Sequence, residues 1–159
     1  MKFSGSLYIN KPYAFVADMF ADPQYLNKYQ DGFVKKELLE GEAGQTGAVS
    51  MMYYNYGKRG MQLKETITNN NLPDSFEAFY HHEHMDNTMV CKFMPDEDGG
   101  TRFEYEYEYT RVSWIRPKLM TLLFPQAFKK QGDKWMRQFK IFVEEFDEVV
   151  KTDVLDTKE

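Results

Sequence analysis

The side chains of this sequence best suited to chemistry are three histidines, one glutamate and a set of tyrosines. His82 and His84 stand two apart in the run Phe79-Tyr80-His81-His82-Glu83-His84. On an extended strand they share a face about 7 Å apart, while His81 points the other way. Two imidazoles at that separation can converge on one ion if a neighbouring strand supplies a third ligand, and Glu65 or Cys91 is the candidate. The plainer reading is a pair of hydrogen-bonded or solvated histidines at a strand end. A third is contact with a ligand or transfer of a proton, because imidazole titrates near neutrality.

Glu65 shares the parity of Met61, Leu63 and Ile67, so the pattern points it inward. An apolar pocket disfavours a charged carboxylate and can tune it for acid–base work. The structural alternative is a Glu65 paired with an interior Arg, His or Tyr, or placed at an open cavity end. Tyr80 shares its face with Phe76, Ala78, His82 and His84. Tyr105 and Tyr107 belong to an aromatic row formed by Phe103, Tyr105, Tyr107 and Tyr109, which alternates with Arg102, Glu104, Glu106 and Glu108. A phenol offers an apolar body with one polar handle, which suits both orienting an apolar ligand and ordinary packing. Cys91 has the parity of Met89 and Phe93 and reads as an inert buried thiol. No Ser–His–Asp or Cys–His arrangement is supported, and no metal or other cofactor is expected.

The elements that position these residues follow from hydrophobic period. Phe3, Leu7 and Ile9 mark a first strand. Pro12 opens a short helix to Phe20, and Asp22-Pro23 opens a second that reaches about Tyr29, with Asp22 as the cap. Strands are expected at 33–39, 48–56, 61–69, 75–84, 88–94 and 102–111, separated by connections rich in Gly, Asn, Asp and Pro, including Asp86-Asn87. The period then lengthens to three and four. Phe128, Trp135, Phe139, Phe142 and Phe146 lie on one stripe of a helix expected over 125–150, about 39 Å long. Gly132 interrupts it, for close approach to the sheet or for a bend. The run 119–124 reads as a helical lead-in.

Composition sets the outer limits. A chain of 159 residues fits one domain, assigned here to 1–150 with a polar tail at 151–159, and buries a core without staples. Its single cysteine excludes an intrachain disulfide. The net charge of -5 argues against nucleic acid as a partner. The longest apolar run is far short of a membrane span, so integral membrane association is not expected. The opening residues lack the apolar stretch of a signal peptide, and a cytoplasmic location is the expectation. Thirteen Phe, eleven Tyr and two Trp sit in a chain whose mean hydropathy is only -0.65. Alternation reconciles the two, with rings on inner faces and charge on outer ones.

Nearly the whole chain resembles the SRPBCC superfamily, also called START-like or Bet v 1-like and associated with the names polyketide cyclase and dehydrase. The resemblance is carried by the opening strand KFSGSLYI, the entry NKPYAFVADMFADPQYLNKY with Val16 and Phe20, the six-strand meander, and the closing helix QAFKKQGDKWMRQFKIFVEEF. It implies an α+β helix-grip fold: a seven-stranded curved antiparallel sheet wrapped around a long C-terminal helix, with two short helices after the first strand. It also implies a cavity between sheet and helix for a lipid-like or polyketide-like molecule, as in an uncharacterised bacterial-type member. No branch-defining motif carries a catalytic residue onto this chain.

The expected function is therefore binding of a small hydrophobic or amphipathic molecule. Tyr80, His84, Tyr105, Tyr107, Phe128, Trp135 and Phe139 are the candidate contacts, with Glu65 and His82 as the candidate polar or catalytic groups. One alternative is a cyclase or dehydrase in which Glu65 or His82 removes a proton. Another is a co-chaperone-like or adaptor domain with a filled interior and an apolar patch around 119–124. Monomer and homodimer are both compatible with the sequence.

Overall fold

A computed structural model describes residues 1–113 and 125–146. Strand β1 (Lys2–Ile9) leads into helix α1 (Tyr13–Ala21), a 3-10 turn (Pro23–Tyr25) and helix α2 (Leu26–Tyr29). Six strands follow: β2 (Phe33–Glu40), β3 (Val49–Tyr56), β4 (Arg59–Asn71), β5 (Ser75–His82), β6 (Met85–Pro95) and β7 (Thr101–Val112). Helix α3 (Pro125–Glu145) closes the described chain. The expected lead-in and tail, at 119–124 and 151–159, lie outside the described residues, as does the end of the expected long helix.

All seven strands form one antiparallel sheet in the order β1-β7-β6-β5-β4-β3-β2. The first strand reaches the last because β1 and β7 pair residue for residue, from Lys2 opposite Glu108 to Ile9 opposite Thr101. The Asp22 side chain accepts from the Gln24 amide at 3.0 Å, so the Asp-Pro start signal acts as read. Alternation holds along β7, where Phe103 and Tyr105 are buried between exposed or half-exposed Arg102, Glu104 and Glu106.

Rings close on each other over the middle of the interior. Phe93 and Phe103 stack at 5.0 Å, and Phe20 meets Phe76, Phe93 and Phe139 edge-on at 5.4, 5.3 and 5.7 Å. Such offset and edge contacts add to the burial of apolar area. Gly132 serves close approach: a Cβ there would stand 2.7 Å from Cε2 of Tyr107.

Two local expectations need correction. Strand β5 stops at His82, and His84 lies with Glu83 in the turn to β6. Asp86 and Asn87, expected to make that turn, instead lie in β6, which begins at Met85, and the pairing of β6 with β7 shifts register between them. The reason is an ion-pair network that outweighs turn preference. Asp86 binds Arg111 through both oxygens at 2.6 and 3.0 Å and lies 2.6 Å from His81 Nδ1. The Arg111 hydrogen bond, joined by His81, holds the Asp86 carboxyl below its ordinary range. Arg111 also donates to the carbonyls of His82 and Glu83, so it closes the hairpin end where no glycine does.

Cys91 is fully buried, and burial pushes its thiol well above the usual range. Since the thiolate is the reactive form, native protein is expected to resist aromatic disulfide reagents for as long as it stays folded. One thiol per chain should appear on addition of denaturant. Rapid stoichiometric labelling of the native state would contradict this placement.

Candidate functional site

The interior polar site begins with a strand pair. Glu65 on β4 stands directly opposite Tyr80 on β5, and the Tyr80 hydroxyl donates to Glu65 Oε2 at 2.9 Å. Both side chains lie on the inner face because β4 keeps Leu63, Glu65 and Ile67 buried in alternation. Glu65 is only 4% exposed. Burial first, and then the neighbouring Glu65 carboxylate, raises the Tyr80 phenol well above its ordinary range. Tyr80 is therefore a protonated donor at neutral pH.

The third member is Lys36, which the sequence reading did not single out. Its Nζ lies 2.5 Å from Glu65 Oε1. A bulge brings it inward: Phe33 pairs with Tyr54 and Lys36 with Met52, so β2 carries three steps where β3 has two. Tyr54 and Met52 are both buried, which places Phe33 and Lys36 on that same side. The available signal was the failure of strict alternation in Phe33-Val34-Lys35-Lys36-Glu37-Leu38-Leu39. Neither parity of that run is wholly apolar, as expected of a strand that changes face.

These three residues line a cavity of about 230 Å³ between the sheet, α1, α2 and α3. Its apolar wall includes Phe20, Leu26, Ile67, Leu72 and Phe76. Met52, Met89 and Met136 add unbranched side chains that can adapt their shape. At one end the wall passes into the exposed loop residues Gly44 and Gln45. Asn70 latches that loop, donating from Nδ2 to the Gly44 carbonyl at 2.5 Å and from its amide to Thr46 Oγ1 at 2.9 Å.

The other candidates lie elsewhere. His82 is on a separate, open groove with Tyr54, Met61 and Lys64. Its ring packs on His84 at 5.6 Å, and its Nδ1 accepts from the His84 amide at 3.2 Å. Burial, then the neighbouring His84, lowers the His82 pKa. The pair therefore shares a neighbourhood, as its spacing suggests, but not the Glu65 cavity. Distance along β5 separates them, since Tyr80 stands opposite Glu65 and His82 at the hairpin end, opposite Met85. Among the described residues no group of three or more His, Cys, Asp and Glu is placed to hold a metal ion.

Five aromatic candidates also lie outside the described cavity wall. The Tyr105 hydroxyl donates to Asp133 at 2.9 Å and joins β7 to α3. Tyr107 packs over Gly132, and Phe128 meets Tyr109 at 5.1 Å. Trp135 stacks on Tyr54 at 6.0 Å, while Phe139 is fully buried among Phe20, Tyr29 and Phe103. Among the described residues of helix α3, Met136 is the one in the cavity wall. The aromatic stripe of α3 is mostly spent on packing against β7 and the short helices.

No family model matches the sequence, and no curated protein does. Solved structures do match in fold. Ara h 8.0201 aligns with a TM-score of 0.72 at 14% identity, over 90% of this chain and 97% of that one. TTHA0849 from Thermus thermophilus aligns at 0.69 and 16%, over 90% and 97%. A protein of unknown function from Staphylococcus aureus, SA2116, aligns at 0.72 and 9%, over 91% and 93%. With its strand order, paired short helices and closing helix, the chain has the helix-grip fold of the Bet v 1-like, START-like proteins.

Proposed function

We propose that the protein binds a small, mostly apolar molecule in the cavity between sheet and helices, with one polar end against Lys36, Glu65 and Tyr80. The observation that carries this reading is a polar cluster centred on the buried Glu65, with half-buried Lys36 and Tyr80 on its two oxygens, in a wall whose remaining residues are apolar side chains and the uncharged Gln30, Gln45 and Asn70. A few fixed polar groups within an apolar enclosure are the usual means of orienting a ligand. Glu65 acts as the anchor of that cluster, since each of its oxygens already accepts from a fixed donor. The cyclase-like alternative needs a base facing the reacting carbon; His82 faces another groove, and Glu65 would have to release a donor first. The patch invoked for an adaptor, 119–124, lies outside the described residues.

The three cavity methionines provide a direct test. With methyl-labelled methionine, titration with 1-hexanol is expected to shift the Met52, Met89 and Met136 signals and to leave Met94, on the far side of β6, unmoved. Saturable shifts confined to the cavity set support the reading. No shift, or equal shifts at all methionines, overturns it. Native mass spectrometry of gently purified protein then identifies a molecule that travels with the chain.

A further inference from the structure

Taking the cavity as the binding site, we infer that it selects a neutral ligand ending in a carbonyl-type acceptor and discriminates against the matching carboxylate. Among the described lining residues only Lys36 and Glu65 carry charge, and they are paired at 2.5 Å. The pair is electrically balanced before a ligand arrives. A carboxylate entering beside it sets two buried anions against one ammonium, and burying a charge without its own counter-charge is costly. An ammonium ligand meets the mirror-image problem, because Glu65 already holds one cation.

A neutral acceptor meets no such conflict. The Lys36 ammonium has three donor hydrogens, and Glu65 is its hydrogen-bond partner among the described residues. One of the remaining hydrogens can serve a carbonyl oxygen while the ion pair stays intact. Tyr80 does not compete for that oxygen, since its single hydrogen is given to Glu65. The site thus offers spare donor capacity from a charge that is already compensated.

Size narrows the ligand further. At about 230 Å³ the described cavity lies below the roughly 300–1,000 Å³ of pockets for drug-sized molecules. A six-carbon chain with one carbonyl group, or a compact ring of similar volume, is a probe of suitable size. Hexanamide and hexanoate have the same length and the same number of non-hydrogen atoms, and differ at neutral pH in charge and in the two N–H donors of the amide, which is why the Glu65→Gln comparison below is needed to assign the preference to charge.

The test compares those two probes by the methionine methyl titration at about pH 7.5, where hexanoate is ionised. Wild-type protein is expected to bind hexanamide at least about tenfold more tightly than hexanoate. In Glu65→Gln, which keeps an acceptor for Tyr80 but frees the ammonium of its counter-charge, hexanoate should gain about tenfold relative to hexanamide. If wild type binds hexanol but takes hexanoate as well as hexanamide, the charge selectivity is overturned and the cavity reading stands. If none of the three probes shifts the cavity methionines, both fall. An unchanged preference in folded Glu65→Gln overturns the ion pair as the cause, and the wild-type comparison decides selectivity even if that variant does not fold.

Discussion

Lys36→Met is expected to destabilise the protein by about 3–5 kcal/mol at neutral pH, the cost of stranding one partner of a buried ion pair. Glu65 is the deeper partner, its side chain 5% exposed against 23% for Lys36. Removing the ammonium therefore leaves a largely buried carboxylate without its counter-charge, with Tyr80 as its remaining donor among the described residues. The reverse change, Glu65→Leu, should cost less, because the long stem of Lys36 can carry its charge outward. In the double variant Lys36→Met/Glu65→Leu most of the loss should return. What remains is a Tyr80 hydroxyl without its acceptor, a deficit of about 1–3 kcal/mol.

Urea unfolding of the two single variants and the double variant checks the size of each loss and the recovery. A loss under about 1 kcal/mol in Lys36→Met contradicts a mutually dependent pair.

Lys36 marks the boundary of what strand alternation discloses. Glu65 and Tyr80 were legible because β4 and β5 alternate regularly where those residues stand opposite each other. Lys36 was not, because the bulge in β2 changes which side chains face inward, and a one-residue slip moves every later side chain to the other face. The Glu83-His84 turn was hidden for a different reason. Its geometry is held by Arg111, a residue 25 positions from Asp86 in the chain, and local turn preferences contain no such information.

The aromatic stripe was legible as a stripe but not as packing or pocket. Phe128, Trp135 and Phe139 do lie on one side of α3, as their spacing requires, yet each meets a ring of another element. Periodicity gives the direction of a side chain, not whether its neighbour comes within van der Waals range. That second fact depends on Gly132, which lets α3 approach Tyr107 closely. Met52, Met89 and Met136 line the remaining space, where unbranched side chains fit an irregular wall.

Phe139→Ala should be the most damaging truncation on α3, with a loss of about 3–5 kcal/mol. The ring is fully buried and contacts Tyr29 at 5.0 Å, Phe20 at 5.7 Å and Phe103 at 5.8 Å. Those partners come from α2, α1 and β7, so one side chain joins the long helix to three other elements. Its loss opens a void that such a dense ring cluster can only partly refill. Ile141, 53% exposed on the same helix, is the control, and its change to alanine should stay within about 0.5 kcal/mol. Phe20 and Tyr29 also line the ligand cavity, so the void left by Phe139→Ala adjoins it. An alcohol longer than hexanol should then stabilise the variant more than wild type, because a ligand stabilises whichever folded state binds it. Urea unfolding with and without 1-octanol measures both effects. A loss under about 1 kcal/mol would contradict the central packing role of Phe139, while equal stabilisation of both proteins would show that the ring cluster and the cavity are separated by a wall that the substitution leaves closed.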